Sequence, residues 1–336
     1  MSARAARPAV VSGSAFGLLS AATFGTSGSF ATALMNAGWS SGAAVSTRIS
    51  VAAVVLTVPA AISLRGRWAV LWRERWTLLL YGLFAVAGCQ LFFFNAVSHL
   101  SVGVALLLEY SGTVLVVLWL WATHGKRPGR TTLLGIGASV LGLVIVLQIW
   151  NEQKLDLTGV AWGVAAAVGL AVFYVLSART TSEVPAVASA WAGMVLGALG
   201  LGVCGAVGVL PLRATTRSVE LAGHRASFVV AVAGLSLIAA ALAYCAGILA
   251  ARRLGATVAS FFGLTEVLFA VLFAWLLLSE APTGVQALGG LAVLAGIGLI
   301  QAGERGADEP VAVAVEPDPV PVEREGRAVG LGSATN

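Results

Sequence analysis

Residues 228–250 read FVVAVAGLSLIAAALAYCAGILA, a run without a single Asp, Glu, Lys, Arg or His. A hydrocarbon core about 30 Å thick is crossed by roughly 20 apolar residues in a helix, so this stretch predicts a transmembrane helix. Its apolar residues are continuous, whereas barrel strands are about ten residues long and alternate. Working outward, the same reading predicts spans at 12–34, 41–63, 77–98, 100–122, 131–149, 157–179, 186–209, 255–277 and 283–302. With 58% apolar and 10% charged residues, a water-soluble chain of this length could not keep its surface wet. The expected fold class is an all-α polytopic membrane protein of ten transmembrane helices.

Basic residues set the expected orientation, because Lys and Arg of short loops stay on the cytoplasmic side. With the amino terminus inside, that side holds Arg4, Arg7, Arg65, Arg67, Arg73, Arg75, Lys126, Arg127, Arg130, Arg179, Arg252 and Arg253, plus Arg305, Arg324 and Arg327. The outside holds Lys154, Arg213, Arg217 and Arg225, three of them in the loop 210–227. Both termini are therefore expected in the cytoplasm. Orientation accounts for the net charge of +5 without a nucleic-acid partner. Trp39, Trp68, Trp72, Trp76, Trp150 and Trp162 fall near span ends, where indoles prefer the headgroup level. Residues 1–11 read as a short cytoplasmic tail. From Gly303 apolar periodicity stops, and residues 303–336, with Glu316-Pro317-Asp318-Pro319-Val320-Pro321, read as a disordered cytoplasmic tail.

The chain repeats itself. A shift of 154 residues superimposes Leu100 on Leu254, Ala105 on Ala259, Trp121 on Trp275, Pro128 on Pro282, Gly135 on Gly289 and Gly142 on Gly296. Upstream the shift is about 146, pairing Gly17 with Gly163 and Ala21 with Ala167. The first span, despite Arg4 and Arg7 before it, thus has a partner later in the chain and is not a cleaved signal peptide. Two five-helix units, 12–149 and 157–302, follow. Because five is odd, the second enters the bilayer from the opposite side, giving inverted repeats suited to alternating access.

This pattern resembles the EamA-type members of the drug/metabolite transporter superfamily over nearly all of residues 12–302. The resemblance rests on how each unit closes: an aromatic-rich helix, a short polar turn and a glycine-spaced helix, as in Ala274-Trp275-Leu276-Leu277-Leu278-Ser279-Glu280-Ala281-Pro282-Thr283 through Gly289 and Gly296-Ile297-Gly298. The first unit departs from it, with Lys126 where the second has Glu280. Leu108-Glu109-Tyr110-Ser111-Gly112-Thr113-Val114 lacks the proline that many members carry near Thr113, and Glu266 also stands where proline is common.

Three charges fall well inside spans: Arg48, Glu109 and Glu266. A central charge costs about 2.5 to 3.5 kcal/mol on insertion scales, so such residues face a cavity or a partner. Under the 154-residue shift Glu109 maps onto Gly263, one turn from Glu266, so the carboxylates are expected at nearly symmetric places. In the functional reading they bind a substrate amine or a coupling proton, while Arg48 holds a substrate carboxylate or neutralises one Glu. The competing reading has Arg48 paired with one carboxylate merely to lock helices. Gln90, Asn95, Tyr110, Tyr244 and Thr265 are further cavity candidates, although lone amides and hydroxyls in spans often bond across helices.

Other motifs favour packing. Gly159-x-x-x-Gly163 and Gly193-x-x-x-Gly197 permit close helix contact, and Arg252-Arg253 reads as an orientation signal or a gate contact. Residues 200–205 match G-x-G-x-x-G but lie inside an apolar span with no preceding strand, which fails the dinucleotide context. Cys89, Cys204 and Cys245 suggest neither disulfide nor metal. No Walker A or H-E-x-x-H motif occurs, and His99, His124 and His224 fall near span ends. Neither metal nor other cofactor is implied, and the chain is not read as an enzyme. The expected function is secondary active transport of a small polar metabolite across a bacterial inner membrane. An amino acid or related amine, exported with proton coupling, is favoured because Leu108-Glu109-Tyr110-Ser111-Gly112 resembles the segment of amino-acid exporters. A facilitator or uptake carrier for a sugar, nucleoside or drug-like amine stays open, as do an intramembrane enzyme or sensor and a homodimer.

Overall fold

The computed structural model describes residues 3–308 apart from 98, 101, 126, 152–155, 180–181, 222 and 279–282. The readings at Lys126, Lys154, Glu280 and Pro282, and on the tail beyond Asp308, lie outside the described residues. The chain is an all-α polytopic membrane protein. Eight helical runs among the described residues are long and apolar enough to cross a bilayer, from Ser41–Leu64 to Gly284–Glu304.

Two helices, α1 (Ala3–Gly25) and α2 (Ser27–Asn36), follow each other across Thr26. α3 (Ser41–Leu64) starts at Ser40, whose hydroxyl accepts the Ala43 amide at 3.2 Å, the usual satisfaction of an orphan N-terminal donor. It stops where Arg65 and Gly66 take left-handed φ of 48° and 80°. The short α4 (Ala69–Arg73) and α5 (Arg75–Leu80) lead through wider turns at Tyr81–Gly88 into α6 (Cys89–Val97). Next come α7 (Val102–Tyr110), α8 (Gly112–His124), α9 (Arg130–Leu147), α10 (Leu157–Ser177) and α11 (Ala186–Ala206). A hairpin of β1 (Val219–Leu221) and β2 (His224–Ala226), Val219 opposite Ala226, precedes α12 (Phe228–Ala233). Wider turns at Gly234–Leu242 then open into α13 (Ala243–Gly263), α14 (Thr265–Leu278) and α15 (Gly284–Asp308).

Several boundaries differ from the sequence expectation. Helix begins at Ala3, within the stretch read as a tail, and continues beyond residue 302 to Asp308. There Gly303 packs so tightly on α9 that a Cβ would lie 2.5 Å from the Thr132 hydroxyl. The loop expected at 210–227 holds the hairpin. No loop separates 250 from 255: Arg252 and Arg253 are on helix, with Arg252 donating to the Ser189 hydroxyl at 3.1 Å and Arg253 lying 4.7 Å from the Phe16 ring. The chain instead turns at Gly255, whose φ of 79° and ψ of 167° suit only glycine. It breaks again at Leu264.

Glycines let α9 and α15 approach. A Cβ on Gly142 would lie 2.7 Å from the Gly289 carbonyl, and one on Gly135 equally close to the Gly296 carbonyl. Gly163 seats the Leu108 side chain, and Gly193 and Gly197 seat Tyr81 and the Gly82 carbonyl, so both G-x-x-x-G pairs serve packing. The 200–205 motif lies within α11. Gly142→Leu therefore overpacks a backbone contact and is expected to cost about 1–3 kcal/mol, read as a lower melting temperature in detergent. Gly298→Leu, into open space, is expected to leave it unchanged.

Asp156 caps α10, its carboxylate accepting the Thr158 amide at 2.8 Å and facing His99 Nδ1 at 3.1 Å. The Thr158 bond, with His99 adding to it, holds this carboxyl below its ordinary value. A depressed carboxylate contributes its stabilisation above the unfolded pKa, about 3.9, and loses it as pH falls through the folded one. The melting difference between parent and Asp156→Ala is thus expected to shrink as pH falls below about 4.

Candidate functional site

The two backbone breaks that build the site arise from hydroxyls. Ser111 Oγ donates to the Leu108 carbonyl at 2.6 Å, and Thr265 Oγ1 donates to the Phe262 carbonyl at 2.7 Å. Each captures an acceptor three residues back, offering the backbone an alternative to the next helical turn. Glu109 stands two residues before the break at Ser111 and Glu266 two after the break at Leu264. Gly112 and Gly263 leave room for α10 at these breaks: a Cβ on Gly112 would meet the Ala167 carbonyl, and one on Gly263 the Tyr174 hydroxyl.

Both carboxylates thereby line one cavity of about 490 Å³. Ser27, Thr32 and Met35 of α2, Ser41 and Arg48 of α3, Cys89, Gln90, Phe93 and Phe94 of α6, Glu109 and Tyr110 of α7, Phe173 and Tyr174 of α10, Tyr244 of α13 and Glu266 of α14 contribute to its wall. It extends from the carboxylates along α2 to the end where α2 and α3 join.

Arg48, only 3% exposed, is the most constrained polar group there. Its Nη1 donates to Ser27 Oγ and Gln90 Oε1, both at 3.0 Å, and its Nη2 donates to the Ala239 carbonyl at 2.5 Å. Its guanidinium carbon sits 5.8 Å from the Phe24 ring. All three acceptors are neutral. Arg48 forms no ion pair with Glu109 or Glu266 within 4.0 Å; His99 with Asp156 is the ion pair among the described residues. The ion pair of the competing reading is thus absent, while the guanidinium still ties α2, α6 and the wider turns before α13 through neutral acceptors. The guanidinium is held by neutral dipoles while its charge still faces two carboxylates. Glu109 Oε1 accepts from Cys89 Sγ at 3.2 Å.

Six of the eight candidate residues surround the cavity: Arg48, Glu109, Glu266, Gln90, Tyr110 and Tyr244. Asn95 and Thr265 do not line it. Asn95 Nδ2 donates to the Leu91 carbonyl of its own helix at 2.8 Å, and Thr265 is buried at the α14 start. Sequence reasoning missed the aromatic wall of Phe24, Phe173 and Tyr174, since aromatic residues in spans are equally suited to lipid or core. It also took Cys89 for packing alone; a thiol carries no mark of its neighbour.

At the other end of α3, the helix termini are tied by polar contacts. Glu74 accepts from the Ser182 hydroxyl at 2.9 Å and the Glu183 amide at 3.2 Å, and Arg179 Nη1 donates to Thr77 Oγ1 at 2.9 Å. With Arg252 on Ser189, these bind the start of α5, the α10–α11 connection and α13 together. Among the described residues no cluster of three His, Cys, Asp or Glu side chains could hold a metal.

Comparison with known proteins agrees with this architecture. The model of the EamA-like transporter family matches twice, at residues 11–148 and 157–302. The inner membrane transporter YicL of Salmonella typhimurium is 24% identical over 236 residues, 69% of this chain and 75% of YicL. The threonine/homoserine exporter RhtA of the same species is 29% identical over 111 residues, so that match spans only 33% of this chain and 35% of RhtA. A solved protein structure superposes with a TM-score of 0.72 at 18% identity, covering 89% of this chain and 99% of that one, which shows a shared fold. Since the family model covers most of the chain in two blocks, this protein belongs to the EamA-like transporter family.

Proposed function

We propose that this transporter exports an amino acid or related amine through a ten-span bundle of two inverted units, 12–149 and 157–302, in exchange for protons. The observation that carries the reading is the pair Glu109 and Glu266 on one cavity with an Arg48 that pairs with neither. Two carboxylates and one guanidinium leave one negative charge to be met by a substrate ammonium or by protons. Binding one then favours release of the other, the linkage that couples transport to a proton gradient. Arg48, held by neutral acceptors only, has its charge available for a substrate carboxylate.

The inverted arrangement is supported by reciprocal contacts. Under the 154-residue shift Gly135 corresponds to Gly289 and Gly142 to Gly296, while the packing pairs Gly135 with Gly296 and Gly142 with Gly289. Such crossed pairing is what a twofold axis produces. The hydroxyl bonds beside the breaks obey the same shift, Ser111 on Thr265 and Leu108 on Phe262. With both termini in the cytoplasm of a bacterial inner membrane, the cavity faces outward and the Glu74–Ser182 contacts close the inner side. The amino-acid assignment follows the partial likeness to RhtA.

The test is counterflow in proteoliposomes loaded with threonine, homoserine or other amino acids and amines, with and without a pH gradient. Exchange of an amino acid or amine stimulated by the gradient is expected. Exchange of sugars or nucleosides alone, indifferent to pH, would replace this reading with a facilitator.

A further inference from the structure

We propose that residues 65–76, at the turn between α3 and α5, form a binding site for the headgroup of an anionic phospholipid. The segment is two-faced. On one face Trp72 and Trp76 are 72% and 66% exposed, while Trp68, 47% exposed, packs edge-on against Trp191 of α11 with ring centroids 6.1 Å apart. Arg75 is fixed among them: its guanidinium carbon lies 5.0 Å from the Trp72 ring and 5.5 Å from the Trp76 ring, and its Nη1 donates to the Trp72 carbonyl at 3.1 Å. Arg65, Arg67 and Arg73 are exposed, and their side chains have no hydrogen bond or ion pair among the described residues. The acid of the segment, Glu74, points to the other face, where Ser182 and the Glu183 amide occupy it.

Four guanidiniums are thus left without a counter-ion beside exposed indoles. A free phosphate would satisfy the charge and leave the indoles in water; a phospholipid satisfies both. Indoles prefer headgroup depth, and guanidinium binds phosphate oxygens in a fork. The acyl chains have a surface to follow, since Val58 and Ile62 of α3 and Leu80 at the α5 end are exposed beside the cluster. Glu74 and the arginines share one short segment, so a headgroup here also steadies the contacts that tie α5 to the α10–α11 connection.

The test reconstitutes the full chain in nanodiscs of phosphatidylcholine containing either brominated phosphatidylglycerol or brominated phosphatidylcholine, and reads tryptophan quenching. The parent is expected to be quenched more by the anionic probe. Half-maximal quenching by that probe should need at least about tenfold more lipid when Arg65, Arg67, Arg73 and Arg75 are all changed to Gln. Trp72→Phe with Trp76→Phe should remove the preferential signal, and Arg127→Gln with Arg130→Gln should leave it. If the fourfold variant fails to fold, Arg73→Gln alone, on a side chain without a contact, should still weaken the preference. Equal quenching by both probes in the parent, or an equal loss in the Arg127/Arg130 variant, overturns the site in favour of general surface charge.

Discussion

Arg48→Met is expected to be the most damaging single substitution, lowering stability by about 2–3 kcal/mol and abolishing transport. Met fills the volume but strands the buried Ala239 carbonyl and the half-buried Ser27 and Gln90, from the wider turns before α13, α2 and α6. It also leaves Glu109 and Glu266 facing each other across one cavity without a cation. Arg48→Lys restores the charge but not the fork: an ammonium on a flexible stem cannot hold three acceptors from three elements in one plane. That variant should fold better than Arg48→Met and still transport poorly. Melting of detergent-purified protein, followed by counterflow of the folded fraction, separates the two losses. A Met variant that melts with the parent would show that the Arg48 bonds are dispensable.

Glu266→Gln and Glu109→Gln should act on transport far more than on folding. Each keeps the shape of the side chain and removes the charge, so melting should change little. The loss of a charge-assisted hydrogen bond to substrate, roughly 2 kcal/mol, corresponds to about 30-fold weaker substrate binding. The two variants should differ in proton dependence. Glu109 carries the Cys89 thiol on one oxygen, whereas Glu266, at the start of α14, is bonded by the Tyr110 hydroxyl. If Glu266 is the carboxylate shared by proton and substrate, Glu266→Gln should abolish stimulation by a pH gradient, and Glu109→Gln should retain part of it. Parental rates in both variants would remove the carboxylates from the mechanism.

Much of the site was readable because a charge in a membrane span is costly wherever it lies. Arg48, Glu109 and Glu266 stood out on that ground alone, without knowledge of what they face. The weaker candidates divided for a local reason. Thr265 bonds to the Phe262 carbonyl three residues back and Asn95 to the Leu91 carbonyl four residues back; short polar side chains in a helix can always do this, and sequence cannot distinguish it from facing a cavity. The expected break between the eighth and ninth spans falls at Gly255 and Leu264, because the backbone conformation that interrupts the helix is one glycine adopts and Arg252 and Arg253 do not.

The sequence by itself determined that the chain lives in a bilayer, where its apolar runs lie to within a few residues, that it repeats, and which three residues carry charge into the interior. Those are properties of a few neighbouring positions or of a comparison of the chain with itself. Only the tertiary structure decided that Glu109 and Glu266, far apart in the chain, share a cavity, that Phe24, Phe173 and Tyr174 wall it, and that Arg48 is held by neutral acceptors. A helix that is apolar all round does not announce which side meets protein and which meets lipid. That choice is made by glycine contacts such as Gly142 on Gly289 and Gly112 on Ala167, where backbone meets backbone from distant parts of the chain.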